Sequence, residues 1–275
     1  MTPSGVITLT TDFGLIDTYA SVLKGVIWEI FSHARIVDLT HQILPQNVLQ
    51  GGYLLATTYR YFPDGTVHVA VVDPGVGTSR PAVAVETPSA FFVAPDNGLL
   101  SFIWEGLTEK ERAATQIVEL TEPCYWRSQV SDTFHGRDIF APVAAHLASG
   151  VDLHRFGRPR QQLVLNEEIR PSKQKDGIIR GRIVHVDRFG NCISNIDREK
   201  VNSIDREGVL HCQAGPHRLV GLARTYADER SGHPLILVGS SDRLEIAVRN
   251  GNAATQMGIA IGDTIDVWAT TQREE

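Results

Sequence analysis

The apolar positions change period along the chain, and the change divides it in two. Residues 6–10, Val-Ile-Thr-Leu-Thr, form a short β-rich run. After the break at Thr11-Asp12-Phe13-Gly14, Tyr19, Val22, Leu23, Val26, Ile27 and Ile30 recur at helical spacing, and Asp17 is placed to cap that helix. Residues 36–39 predict a second strand. Residues 46–60 predict a second helix with Leu54, Leu55 and Tyr59 on its core side, weakened by Gly51 and Gly52. Val67, Val69, Val71 and Val72 mark a third, buried strand. Residues 82–85 and 91–93 predict two strands joined by a turn at Pro88-Ser89, and Pro95-Asp96-Asn97-Gly98 is turn chemistry leading into a short helix over 99–104. A strand over 117–120 follows, then a helix over 137–149 with Ile139, Val143 and Leu147 on one face and Gly150 placed to end it. Strands separated by helical crossovers predict a mainly parallel central sheet covered on both faces.

The texture changes near residue 151. Residues 154–177 are polar, mix basic and acidic side chains and contain Pro159 and Pro171, so they read as a linker or peripheral segment. Beyond them, strand-like runs at 178–186, 209–212, 217–220, 235–238, 244–248 and 264–268 are separated by turn residues, and no segment has helical period. The predicted class is α/β: an N-terminal α/β domain over residues 1–165 and a smaller C-terminal all-β barrel domain over 166–275.

Length and charge narrow the function. A chain of 275 residues exceeds what one core usually serves. A net charge of -6 with no Lys/Arg run argues against a nucleic-acid partner. No apolar run approaches the ~18–20 residues that span a bilayer, so no membrane association is expected. The N-terminus has neither a basic region nor a long apolar one, so no signal peptide is read. Cys124, Cys192 and Cys212 are odd in number and far apart, which fits a reducing cytoplasm and gives neither a disulfide framework nor a CxxC metal site. There is no GKS or GKT, no HExxH and no GxSxG, and Arg80 stands where GxGxxG would need its third glycine.

Four clusters carry candidate chemistry. The strand at Val67–Val72 stops at Asp73-Pro74-Gly75, with Gly77 and Arg80 following, so a carboxylate and a guanidinium sit at a strand's carboxyl end, where α/β sheets bind ligands. Asp12 stands in the loop after the first strand, and a carboxylate there can accept from two vicinal ribose hydroxyls. Residues 131–138, SDTFHGRD, pack His135, two acids and an arginine before a helix. The β-rich half supplies Asp187-Arg188-Phe189-Gly190-Asn191, Ser240-Ser241-Asp242 and Arg249-Asn250-Gly251-Asn252, and an asparagine can read the edge of an adenine. Each cluster has a plainer alternative: a surface Asp–Arg turn, an Asx turn, a charged helix start, or hairpin turns. His146 reads as a packed or surface side chain, and no metal site is indicated.

Taken together, TTDFGLIDTYASVLKGVI, VDLTHQILPQ, FPDGTVHVAVVDPGVGTSR, FVAPDNGLL, SDTFHGRDIFAPVAAHLASG, VDRFGNCISNI and LEIAVRNGNAA, in this order, resemble the S-adenosyl-L-methionine (SAM) hydroxide adenosyltransferases, or SAM hydrolases, relatives of the SAM-dependent fluorinase and chlorinase. The resemblance runs from about Val6 to Trp268. It implies hydrolysis of SAM to adenosine and L-methionine, with SAM as substrate, no cofactor and no metal. It also implies a homotrimer that holds SAM between the N-terminal domain of one subunit and the C-terminal domain of the next. The catalytic Asp–Arg–His set of such hydrolases falls on Asp73, Arg80 and His135. Halogenases are not expected to keep that Asp, so Asp73 favours hydrolysis. By the same resemblance Asp12 binds ribose, Phe134 flanks the nucleoside, and Asn191 reads adenine with the backbone around Arg249 and Gly251. Asp187 and Ser241 contact the methionine amino and carboxylate groups. Asp242-Arg243 departs from the Arg, or Gly-Tyr pair, that relatives tend to carry after the serine, and an acid there would not pair with a carboxylate. Cationic Arg80 and, if protonated, His135 would stabilise developing hydroxide, while Asp73 would orient the water, take its proton or hold Arg80. The competing expectations are a SAM halogenase making 5′-chloro-5′-deoxyadenosine and a non-catalytic nucleoside- or SAM-binding protein.

Overall fold

Seven strands make the sheet of the first of two units, Met1–Asn166, in the computed structural model, which describes residues 1–204 and 208–271. Chain order gives β1 (Val6–Thr11), α1 (Tyr19–Ile30), β2 (Arg35–Thr40), α2 (Val48–Thr58), β3 (Thr66–Val71), β4 (Ala82–Glu86), β5 (Ala90–Pro95), α3 (Ser101–Glu105), α4 (Glu109–Ala114), β6 (Gln116–Leu120), α5 (Ala141–Ala148) and β7 (Gly157–Arg160). The sheet order is β2-β1-β3-β5-β4-β6-β7. The pairs β2–β1, β1–β3 and β3–β5 are parallel; β5–β4, β4–β6 and β6–β7 are antiparallel. The expected parallel character therefore holds for the first four strands in the order. The β4–β5 hairpin reverses the chain without a helical crossover, and the rest of the sheet follows it.

Alternation along β3 feeds two cores. Val67, Val69 and Val71 pack with Leu23, Ile27, Val143 and Leu147, so α1 and α5 cover one face. Ala70 and Val72 pack with Leu55, Leu99 and Ile103, so α2 and α3 cover the other. Gly51 and Gly52, which weaken α2 as isolated helix residues, are buried against α3's approach. A Cβ on Gly52 would stand 2.6 Å from the carbonyl oxygen of Leu99.

Three expectations change here. Thr18, not Asp17, is the residue before α1, and it makes no side-chain cap. The helix expected over 137–149 begins as one π-helical turn, Gly136–Phe140, before α5. The peripheral segment 154–177 contains β7, whose polar GRPR sequence and Pro159 suit an edge strand.

The second unit, Glu167–Glu275, comprises β8 (Ser172–Lys173), β9 (Ile179–Val186), β10 (Cys192–Asp197), α6 (Arg198–Ile204), β11 (Gly208–Ala214), β12 (His217–Val220), β13 (Leu222–Ala223), β14 (Pro234–Val238), β15 (Arg243–Val248), α7 (Ala253–Met257) and β16 (Thr264–Thr271). Its nine-stranded sheet runs β12-β11-β16-β9-β10-β15-β14-β13, with β8 on β9. The sheet curls until β12 approaches β14, which makes it barrel-like. Ile183, Ile196, Cys212, Leu244, Ile246 and Val267 fill its interior. The unit is not all β, because α6 and α7 interrupt it. The strand β10 escapes the hydrophobic pattern because Ser194 and Asn195 are buried within it. Their side chains are satisfied by the carbonyls of Leu244 and Glu168.

Candidate active site

Two adjacent parallel strands aim the first candidate groups at one place. Thr11 of β1 is paired with Val71 of β3, so Asp12 and Asp73 leave the same end of the sheet just beyond that pair. A cleft of about 240 Å³ lies there, lined by Asp12, Phe13, Gln46, Asp73, Phe134 and His135 among others. Asn97 ties down the β3 exit by donating its side-chain amide to the Val72 carbonyl at 2.9 Å.

The segment 73–80 then folds back on itself. The N–H of Val76 donates to the Asp73 carbonyl and that of Thr78 to the Gly75 carbonyl. Gly77 lies at φ 76°, and a Cβ there would stand 2.3 Å from the carbonyl oxygen of Asp132. Only glycine lets this turn press against the 131–135 loop, and that pressing brings Arg80 to His135.

Arg80 is the hub. Its Nη2 donates to Asp73 Oδ2 at 2.5 Å and to His135 Nδ1 at 3.1 Å, and its Nη1 donates to the Pro81 carbonyl at 2.9 Å. The Phe140 ring lies 5.4 Å from the guanidinium carbon. The side chains of Asp73 and Arg80 are 5% and 8% exposed. Asp73 Oδ1 and Arg80 Nε are buried and have no hydrogen-bond partner among the described residues.

The hydrogen-bond directions fix the histidine. A guanidinium only donates, so His135 Nδ1 accepts and the ring proton sits on Nε2. Burial, then the Arg80 cation, push the imidazole below its ordinary range, with Asp73 opposing. These influences favour the neutral ring, which donates through Nε2, where the sequence left the charge of His135 open. Burial pushes the Asp73 carboxyl above its ordinary range against the pull of Arg80, which makes it a stronger base than a free carboxylate.

Asp138 builds the loop that carries His135. Fully buried, it accepts from Ser131 N–H and Oγ at 2.9 Å each and from Arg137 Nε and Nη2 at 2.6 and 2.9 Å. Phe134 stands with Phe13 and Tyr19 in an aromatic cluster, ring centroids 5.1–5.8 Å apart, beside the cleft. Asp12 Oδ2 accepts the Gln46 N–H at 2.8 Å. Gln46, Val76 and Thr133 were not singled out from sequence; Gln46 at φ 65° carries a backbone signal visible only in the structure.

The second unit has its own cavity, about 920 Å³, lined by Asp187, Phe189, Asn191, Tyr226, Ser240, Arg249, Gly251 and neighbours. Asp187 accepts from the N–H groups of Phe189 and Asn191 and from the Asn191 side-chain amide, each at 2.9 Å. That fixes the asparagine's amide orientation and leaves its carbonyl oxygen for another donor. Gly190, at φ 84°, packs onto Asn252, which caps α7 by accepting the Thr255 N–H. Arg249, which also lines the cavity, donates through Nη1 to the carbonyls of Ala227 and Glu229.

The serine that lines this cavity is Ser240; Ser241, next along, is not among the lining residues. Asp242, at φ 56°, accepts from Arg198 Nε at 2.7 Å and Arg243 donates to the Asn195 carbonyl, so both charges of the unusual pair are engaged within the β14–β15 end of the unit. Sequence reasoning also passed over Tyr226, whose O–H donates to the buried Glu245 at 2.5 Å, and burial pushes the Glu245 carboxyl up.

A mixed-sheet unit with a buried Asp73–Arg80 pair joined to half-buried His135 beyond the parallel strand ends, followed by a barrel-like unit with a polar and aromatic cavity, describes a two-part small-molecule enzyme. The comparisons name its family. The family model for the SAM hydroxide adenosyltransferase N-terminal domain matches residues 7–157, and that for the C-terminal domain matches residues 181–266. The (R)-S-adenosyl-L-methionine hydrolase of Salinispora arenicola is 38% identical over 96% of this chain and 97% of its own. A fluorinase from an Actinoplanes species is 26% identical over 95% and 97%. The crystal structure of an uncharacterized conserved protein from Thermotoga maritima, 35% identical, superposes with a TM-score of 0.84 over 96% of this chain and 99% of that one. The chain belongs to the SAM hydroxide adenosyltransferase family.

Proposed function

We propose that this protein hydrolyses SAM to adenosine and L-methionine by attack of water on the ribose C5′ carbon. The observation that carries the reading is the Asp73–Arg80–His135 set, a buried ion pair joined to a half-buried histidine, beside a cleft that Asp12 and Phe134 also line. The S. arenicola hydrolase is also more similar to this chain than the Actinoplanes fluorinase, 38% against 26%. That hydrolase carries the (R) designation in its name, so the (R)-sulfonium epimer is the form to assay first.

The sulfonium leaves as a neutral thioether, so neither a proton donor nor a metal is needed at sulfur. The difficulty lies with the nucleophile, because bulk water has a pKa of about 15.7. Asp73 Oδ1 takes the water's proton as the O–C5′ bond forms and the C5′–S bond breaks, its electron pair passing to sulfur. His135 donates through Nε2–H to the water oxygen and orients it. Arg80 holds both groups and keeps the histidine's proton on the cleft side. Holding water and C5′ in line contributes about 7–11 kcal/mol, and the base about 10²–10⁴-fold. Asp12 takes the ribose hydroxyls, and the Asn191 amide with the backbone at Gly251 reads the adenine edge. Asp187 and the serines at 240–241 serve the methionine end.

The same reading makes the protein a cytoplasmic homotrimer in which one subunit's cleft is completed by the cavity of the next. The three free cysteines suit a reducing compartment, and among the described residues no helix is long and apolar enough to cross a membrane. The test is a product assay with SAM, with and without chloride. Adenosine and methionine in equal amounts, independent of halide, are expected. A halide-dependent 5′-chloro-5′-deoxyadenosine product would overturn the hydrolase reading, and so would bound but unconverted SAM.

A further inference from the structure

Beneath Asp12 runs a chain of polar side chains that the water chemistry does not use. It crosses two adjacent strand ends: Thr11 closes β1, Asp38 lies within β2, and His41 follows β2. Thr11 is fully buried and His41 is 2% exposed. His41 Nε2 lies 3.0 Å from Asp38 Oδ1, an ion-pair contact without hydrogen-bond alignment, and Asp38 Oδ2 accepts from Lys24 Nζ at 2.5 Å. His41 Nδ1 lies 2.8 Å from Thr11 Oγ1. The negative charge of Asp38 beside Nε2 favours the ring proton there, and in that tautomer Nδ1 accepts the threonine hydroxyl.

The chain ends on the backbone around Asp12. Thr11 Oγ1 accepts the N–H of Phe13 at 3.2 Å, and the His41 carbonyl accepts the N–H of Gly14 at 2.7 Å. These are the two amides that follow Asp12. From the other side, the N–H of Gln46 holds the Asp12 carboxylate itself. The His41 imidazole therefore fixes the Phe13 amide through Thr11, and the His41 carbonyl fixes the Gly14 amide, in the loop that brings Asp12 to the cleft.

We propose that His41, oriented by Asp38, is a positioning residue that sets the aim of the Asp12 carboxylate at a vicinal diol. The inference rests on Asp12 being the ribose-binding acid and not on whether SAM is hydrolysed. A diol gives two O–H donors to one carboxylate. Both bonds survive only if the carboxylate plane is held, whereas a 2′-deoxyribose, with a single hydroxyl, tolerates a looser one. Loss of His41 then costs discrimination between riboside and deoxyriboside more than it costs nucleoside binding.

The experiment is calorimetric titration of the full chain with adenosine and with 2′-deoxyadenosine. Wild type is expected to prefer adenosine by about tenfold or more, the scale of a hydrogen bond to a charged group. In His41→Leu that preference falls to within about threefold while 2′-deoxyadenosine affinity holds within about twofold. His41→Asn, whose amide stands in for Nδ1, restores part of it. In an Asp12→Ala background, His41→Leu changes nothing further, because both act through one group. If His41→Leu does not fold, Thr11→Val takes its place with the same expectations. A preference retained in the variant overturns the proposal, as does an equal loss of affinity for both nucleosides, which marks a merely structural role. A wild type without the preference overturns it through Asp12. A wild type that shows the preference but leaves SAM intact refutes the hydrolase reading instead.

Discussion

Replacing Asp73 with asparagine removes one charge from the buried pair and keeps its shape. Breaking a buried ion pair by deleting one partner costs about 3–5 kcal/mol, because the other charge stays dehydrated. Here the asparagine carbonyl still accepts from Arg80 Nη2, and the Pro81 carbonyl holds Nη1 at 2.9 Å. The stability loss should therefore sit at or below the low end of that range, about 3 kcal/mol. The rate should suffer more. Asp73 Oδ1 is the group placed to take the water's proton, and loss of a general base is worth about 10²–10⁴-fold in kcat. Adenosine release at saturating SAM, followed by chromatography, reads kcat. Calorimetric titration reads SAM affinity, which should stay within about threefold, since no adenine or ribose contact is lost. A kcat within about tenfold of wild type, in a variant that melts normally, would refute the role given to Asp73.

Two further outcomes follow from the geometry. Gly77→Ala forces a side chain into the left-handed region, at about 1–2 kcal/mol, and drives its Cβ at the Asp132 carbonyl. It should part Arg80 from His135 and cut SAM turnover at least about tenfold with only a modest fall in melting temperature; unchanged turnover would show that the two loops need not touch. His68 is fully buried in the first unit's core, bonded through Nδ1 to Thr8 and stacked on Phe92, and burial pushes it down to about 4. Its contribution to stability is fully present above the unfolded value of about 6.5 and is lost as pH falls from there towards about 4, on the order of 3 kcal/mol in all. Denaturant melts at pH 7.5 and 5 should show wild type losing clearly more than His68→Leu; equal losses would contradict this.

How much of the site is legible in sequence depends on distance along the chain. The stop after β3 can be derived from Pro74 and Gly75 alone, and Asp73 with Arg80 falls within one turn. His135 reaches that turn only through Gly77's contact with Asp132, which no local pattern encodes; the family resemblance supplied it. The histidine's charge state stayed open for a related reason, because Nδ1 is assigned by a donor, Arg80, that only the folded chain places there. Gly51 and Gly52 read as weakness in α2 and serve as close approach to Leu99. Asn195 and Ser194 hid β10, because a buried polar side chain breaks the alternation that marks a strand unless its partner is known. Asp242 looked hostile to a carboxylate, and Arg198 neutralises it.

The central claim is that water, activated between Asp73 and His135, ends up on C5′. Turnover of SAM in ¹⁸O-labelled water, with mass spectrometry of both products, tests it directly. The account predicts one labelled oxygen in the 5′-hydroxyl of adenosine and none in methionine. Unlabelled adenosine, or no adenosine at all, would contradict it.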